Sequence, residues 1–187
     1  MSGRKAGTLR RSARGGRQRS SSSGQALVEF GLVIGLFMLV IGGLVQFGII
    51  LWSQNAITEI SRNTARWAVT QSTTCDTSVL RAAVASKANQ LASGASLVSY
   101  TSGMWPSAQS LSSTTDEGVL VDWQGDSPFP QSDCPPSDAT HVWTIRVRVN
   151  HVVPIFIPGL SVFAPPCTSS GFCLSTTTEL RMEPKKP

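Results

Sequence analysis

The run FGLVIGLFMLVIGGLVQFGIILW, residues 30–52, carries no charged side chain, and Gln46 is its one strongly polar residue. At ~1.5 Å per residue a helix of this length measures about 35 Å, and a bilayer's hydrocarbon core is ~30 Å thick. A removable secretory signal has a shorter apolar run followed by a small-residue cleavage site, and no such site follows Trp52. The run therefore predicts a transmembrane helix over residues 30–52.

We expect the helix to extend beyond the apolar run, because proline interrupts helices and none occurs before Pro106. We expect it to cover residues 25–71. Beyond the membrane, Ile57, Ile60, Thr64 and Trp67 or Ala68 recur at helical spacing and form one stripe. This part of the helix is expected to carry a head domain on that stripe.

Residues 1–24 form a basic leader rich in glycine and serine, predicted to be disordered because it has too little apolar surface to fold. It contains seven of the sixteen basic residues and no acid, whereas the rest of the chain carries nine basic residues and eleven acids. The excess of positive charge before the span predicts a cytoplasmic N-terminus and an extracytoplasmic C-terminal part. The leader has no aromatic residue to stack on bases, so we expect no nucleic-acid partner.

Residues 72–187 predict an extracytoplasmic α+β head. A second helix is expected over residues 78–92, with Asp76 or Thr77 as its cap and Gly94 at its end. Alternating apolar residues then predict an antiparallel sheet of three or four strands. The strand patterns are Val119 to Trp123, His141 to Val149, Leu174 to Met182 and, more weakly, Leu97 to Tyr100.

Four cysteines, Cys75, Cys134, Cys167 and Cys173, all lie on the predicted outer side, where disulfides persist. They permit three pairings, of which we favour Cys167 with Cys173 and Cys75 with Cys134. The spacing of cysteines and histidines matches no zinc motif, and no nucleophile or nucleotide-binding motif occurs. We expect no catalytic residue, no metal and no cofactor.

Glu29 is an acid at the very start of the apolar run. An acid at the middle of a membrane helix costs about 2.5 to 3.5 kcal/mol, and less near its end. Two explanations remain open on physical grounds. A cut after Gly24 would give Gln25 an ammonium group four residues from Glu29, on the same helix face. Alternatively, Glu29 lies at headgroup level near the positive end of the helix dipole, which requires no cut.

The motif Gly24-Gln25-Ala26-Leu27-Val28-Glu29-Phe30 resembles the processing site of type IV pilin-like precursors. More narrowly, residues 24–69 resemble the TadE-like proteins of tight adherence (Tad) pilus systems. Further marks of the family are Gln46-Phe47-Gly48 and a pattern made of Ala56, Arg62, Ala65, Arg66, Trp67 and Ala68. The family often has a proline where this chain has Gly35 and an acid where it has Gln46. The second departure bears on partner contacts within the bilayer.

The resemblance implies a pseudopilin that a prepilin peptidase cuts between Gly24 and Gln25, with Glu29 and Phe30 in the processing and assembly motif. The implied partners are the membrane, other pilin-like subunits and the Tad assembly machinery, and the product would be a minor subunit or assembly factor in the cell membrane or a surface pilus. Gly31 and Gly35 are spaced as on a face where membrane helices pack closely. The alternative is an uncleaved, signal-anchored surface protein whose head is a binding module.

Overall fold

The computed structural model describes residues 22–71, 77–125, 142–157 and 171–182. The elements are α1 (Ser22–Thr70), α2 (Thr77–Ala95), β1 (Gly118–Gly125), β2 (Trp143–Val153) and β3 (Phe172–Arg181). Two compact units divide the chain, Met1–Met38 and Leu39–Pro187. The first contains the beginning of α1, and the second contains the rest of α1 with all the other elements. This is the α+β fold with a long apolar helix that the sequence predicts.

The helix α1 begins at Ser22, so its first residues belong to the predicted leader. The helix therefore begins three residues before the predicted start at residue 25, and the disorder of the leader over residues 1–24 stays a prediction. Residues 1–21 lie outside the described part. The helix is long and apolar enough to cross a membrane, and only 6% of its most apolar window is buried.

In the second unit, α1 buries the stripe that the sequence predicts. Ile57, Ile60, Thr64 and Ala68 are fully or almost fully buried, and Trp67 is half-buried. The charged residues of this segment, Glu59, Arg62 and Arg66, are exposed. The apolar stripe therefore carries the head, as expected.

The helix α2 runs antiparallel to α1. Ala83 and Lys87 lie beside Trp67, whereas Leu91 and Ala95 lie further down, beside Ile60. The helix ends at Ala95 rather than before Gly94, and the left-handed conformation that stops it is taken by Ser96, with φ 49°. Asp76 and the side chain of Thr77, the predicted caps, lie outside the described residues.

In the described residues the sheet has three antiparallel strands in the order β1, β2, β3. Opposite the centre of β2, Val147 pairs with Val121 on one side and with Thr178 on the other. Inward side chains alternate with outward ones along β2, as the sequence predicts. On the outer face Arg146 forms an ion pair with Glu179 at 2.8 Å.

The inner face of the sheet shares one apolar core with both helices. Its largest members include Ile57 of α1, Val84 of α2, and Ile145, Val147 and Val149 of β2. The weaker strand prediction over residues 97–100 is wrong, because this segment forms turns and Ser99 has a φ of 64°, a value that an extended strand excludes. His141 lies outside the described residues.

Candidate functional site

The predicted processing motif lies in the first unit, on the exposed first turns of α1. The side-chain amide of Gln25 donates a hydrogen bond from Nε2 to Oε1 of Glu29, 3.1 Å away, and both side chains are exposed. Residues four apart on a helix share a face, which explains the contact. A Cβ added at Gly24 would meet nothing within 4 Å, so the chain around the predicted cut is open.

The other predicted residues of this region are exposed as well. Phe30 is 65% exposed, and a Cβ at Gly31 or Gly35 would meet no other atom within 4 Å. The structure thus leaves the Gly31 and Gly35 face uncovered by described parts of this chain. Packing of another helix against it stays a prediction.

Gln46, in contrast, is not available to partners in the bilayer. It is 2% exposed, its Nε2 donates to the carbonyl of Pro154 at 3.0 Å, and its Oε1 accepts from the N–H of Phe156 at 3.0 Å. The glutamine that replaces the family's usual acid therefore binds the head's own chain in this structure, and the expected change in partner contacts within the bilayer stays a prediction.

A second set of hydrogen bonds connects α1 to the sheet. Ser61, fully buried, donates to the carbonyl of Val147 at 3.0 Å, and its Oγ lies 2.9 Å from Oγ1 of Thr178. One hydroxyl therefore contacts both β2 and β3. Sequence reasoning missed this residue because a serine on an apolar stripe gives no signal of its partner.

The head contains a polar cluster around Glu117, which is half-buried, and His151. His151 is fully buried, and its Nε2 lies 2.9 Å from the carbonyl of Val98, which can only accept, so Nε2 carries a proton. Its Nδ1 lies 3.2 Å from Oε2 of Glu117, a contact that requires a proton on one of these two atoms. Glu117 also accepts from Nε1 of Trp105 at 3.2 Å and from the N–H of Val152 at 2.7 Å.

This cluster closes the sheet against the segment that follows α2. Trp105 Nε1 and the N–H of Val152 both donate to Glu117, and Nδ1 of His151 lies beside it; burying either donor without an acceptor would cost about 1 to 3 kcal/mol. Glu117 and Trp105 were not singled out, because their partners are distant in sequence.

Cys173 is disulfide-bonded. The other three cysteines, Cys75, Cys134 and Cys167, lie outside the described residues, and its partner lies among them. The pairing of the four cysteines therefore stays a prediction. The search of the described residues for three or more His, Cys, Asp or Glu side chains placed to hold a metal ion found none.

A comparison with known proteins bears on the helix. No curated protein and no solved structure matches the chain. A protein-family model with the description "TadE-like protein" matches residues 24–66, which include the Gln25 and Glu29 pair, Gln46 and Ser61. This chain therefore carries a TadE-like region at residues 24–66, as its sequence motifs predict.

Proposed function

We propose that this chain is a non-enzymatic pseudopilin that acts in assembly, or as a minor subunit, of a Tad pilus or a related secretion system. The TadE-like region suggests a function related to Tad pili, and this pilus-associated family is generally non-enzymatic. The observation that carries the proposal is the TadE-like region itself, because it begins at Gly24, the residue before the predicted cut, and includes Glu29.

The processing step in this proposal is a cut between Gly24 and Gln25 by a prepilin peptidase. A peptidase needs an extended substrate, so the first turn of α1 must unwind locally. Gly24 makes this easier, since glycine is about 1 kcal/mol less favourable than alanine inside a helix. The serines at positions 22 and 23 are also weaker helix formers than alanine.

After the cut, the new ammonium group belongs to Gln25, whose side chain already reaches Glu29. Removing an ammonium and a carboxylate from water as a pair costs far less free energy than removing a carboxylate alone. The partner ammonium can come from the same chain or from a neighbouring subunit. Either arrangement explains why an acid stands at the membrane end of the helix, and the second would also align subunits in an assembly.

The proposal includes a topology and a set of partners. The basic leader would stay in the cytoplasm and the head would lie outside, where the disulfide of Cys173 persists. A single apolar helix suggests membrane anchoring. The exposed face with Gly31 and Gly35 would admit another pilin-like helix, because glycines allow close approach of helix backbones.

The second candidate is an uncleaved, signal-anchored surface protein with a binding head. One observation favours it: α1 already begins at Ser22, and Glu29 receives a hydrogen bond from the Gln25 side chain without any new N-terminus. Under this hypothesis the carboxylate has no task in assembly.

Substitution of Glu29 separates the two candidates. In cells that carry the Tad system, we expect Glu29→Ala to leave membrane insertion intact and to reduce co-isolation with sheared pili or with the assembly complex severalfold. The matched control is Glu59→Ala, which removes an exposed acid from the same helix beyond the apolar run. Equal co-isolation of both variants with the wild type would favour the anchored surface protein.

A further inference from the structure

The segment that leaves β2, residues 154–157, is Pro-Ile-Phe-Ile and has no polar side chain. Phe156 is 65% exposed, although it is one of the largest apolar side chains of the head. Exposed phenylalanine in a head domain contributes nothing to its core. We call residues 154–157 the apolar loop.

The apolar loop lies against the part of α1 that belongs to the apolar run, residues 30–52. The N–H of Phe156 binds Gln46, and a Cβ added at Gly42 would lie 3.3 Å from Cδ1 of Ile157. Gln46 precedes Trp52 by six residues, so the loop reaches roughly 9 Å below Trp52 along the helix axis. Gly42 gives Ile157 the space to approach this closely.

The side of α1 that faces away from the loop is apolar too. Between Leu39 and Trp52 the helix has no charged residue, and its exposed side chains are large and apolar. They include Leu44 (68% exposed), Phe47 (59%) and Trp52 (62%). Tryptophan is typical of the boundary between membrane and water, and polar residues 53–55 follow it.

We propose that the apolar loop is immersed in the membrane, so that lipid acyl chains contact Phe156 and the exposed face of α1 as one surface. The hydrogen bonds of Gln46 support this. In hydrocarbon no water can satisfy a backbone group, and an irregular segment is tolerated only where protein satisfies it. Gln46, whose side chain can both donate and accept a hydrogen bond, lies on α1 beside the apolar loop. It donates to the carbonyl of Pro154 and accepts from the N–H of Phe156.

Lipid explains this surface better than a second protein does. The rim of a protein–protein interface is typically polar and accessible to solvent. Here the exposed band around residues 39–52 has no charge, and Gln46, the strongly polar residue of the band, is turned inward. The inference rests on α1 spanning a membrane, which the proposed function also requires.

The test places one environment-sensitive fluorescent amino acid in the full-length protein, at position 156, 44 or 79 in turn. The protein is reconstituted at one copy per phosphatidylcholine nanodisc, with or without acyl-chain spin labels that quench the fluorophore. Leu44 reports on the span itself. Val79 is the matched control, because it is 53% exposed and apolar but lies near the start of α2, the end of that helix that is beside Trp67.

We expect spin-labelled lipid to quench positions 156 and 44 severalfold more than position 79. If position 44 is quenched but position 156 is quenched no more than the control position 79, the loop is not immersed in the membrane. That result would leave the proposed function standing. Absence of quenching at 44 would overturn both. A blue-shifted emission at 156 that appears only with several copies per disc, without lipid quenching, would assign this surface to a neighbouring subunit and contradict the proposal.

Discussion

The side-chain amide of Gln46 bonds the backbone at Phe156, which is 110 positions further along the chain, with an N to O distance of 3.0 Å. The same amide donates to the carbonyl of Pro154. These two bonds use the donor and the acceptor of glutamine together, and they attach the end of β2 to α1. The head is thus docked within the apolar run of the helix, not above it.

Removing this amide should destabilise the docked head. Gln46→Leu keeps a similar volume but leaves the carbonyl of Pro154 and the N–H of Phe156 without their partner. A fully buried unsatisfied group costs about 1 to 3 kcal/mol, and these two groups are partly buried, so we expect a loss of about 2 kcal/mol in the free energy of unfolding. Thermal unfolding in detergent, followed by circular dichroism, measures it.

Gln46→Glu gives a sharper test of the same geometry. A protonated carboxyl can donate to Pro154 and accept from Phe156, whereas a carboxylate can only accept. We therefore expect this variant to approach wild-type stability in acidic buffer and to lose stability as the pH rises, relative to the wild type at each pH. A difference between variant and wild type that does not change with pH would contradict the two-bond arrangement.

Two buried serines of α1 provide a matched pair. Ser61 bonds β2 and contacts Thr178, whereas the hydroxyl of Ser53 has no hydrogen-bond partner within the described ranges. We expect Ser61→Ala to lower the free energy of unfolding by about 1 to 2 kcal/mol, and Ser53→Ala to change it little or to raise it. Equal losses at both positions would mean that the Ser61 bonds do not hold the helix to the sheet.

Two glutamates of the head should differ just as strongly. Glu117→Ala leaves Trp105 Nε1 and the N–H of Val152 without their acceptor and Nδ1 of His151 without its partner, and we expect a cost of about 3 kcal/mol or more. Glu179→Ala removes a surface ion pair with Arg146, which is worth about 0 to 1 kcal/mol. Chemical denaturation of both variants measures the difference, and similar midpoints would contradict the role of the cluster.

Much of the architecture is readable from local patterns. The alternation of Trp143, Ile145, Val147 and Val149 predicts the inner face of β2, because a strand turns successive side chains to opposite sides. The stripe from Ile57 to Ala68 predicts the buried side of α1 in the same way. The turns over residues 97–100 escape such reasoning, since a serine rarely adopts the positive φ that Ser99 has and nothing in its local sequence predicts it.

The candidate sites also differ in whether local sequence patterns reveal them. The Gln25 and Glu29 pair lies within one helical turn, so the sequence alone locates it. Gln46 and Phe156, or Glu117 and His151, are joined only by the fold, and no periodicity links residues so far apart. Polar residues at apolar positions, such as Gln46 and Ser61, are the one signal that sequence reasoning could have followed further.

We propose that the working protein begins at Gln25, with Glu29 beside its ammonium group. Intact-mass analysis of the membrane-extracted protein, from cells with an active prepilin peptidase and from cells without it, tests the claim directly. We expect loss of residues 1–24 only when the peptidase is active, and retention of the leader in a Gly24→Leu variant. A leader that stays attached to the wild-type protein in peptidase-positive cells would contradict the account.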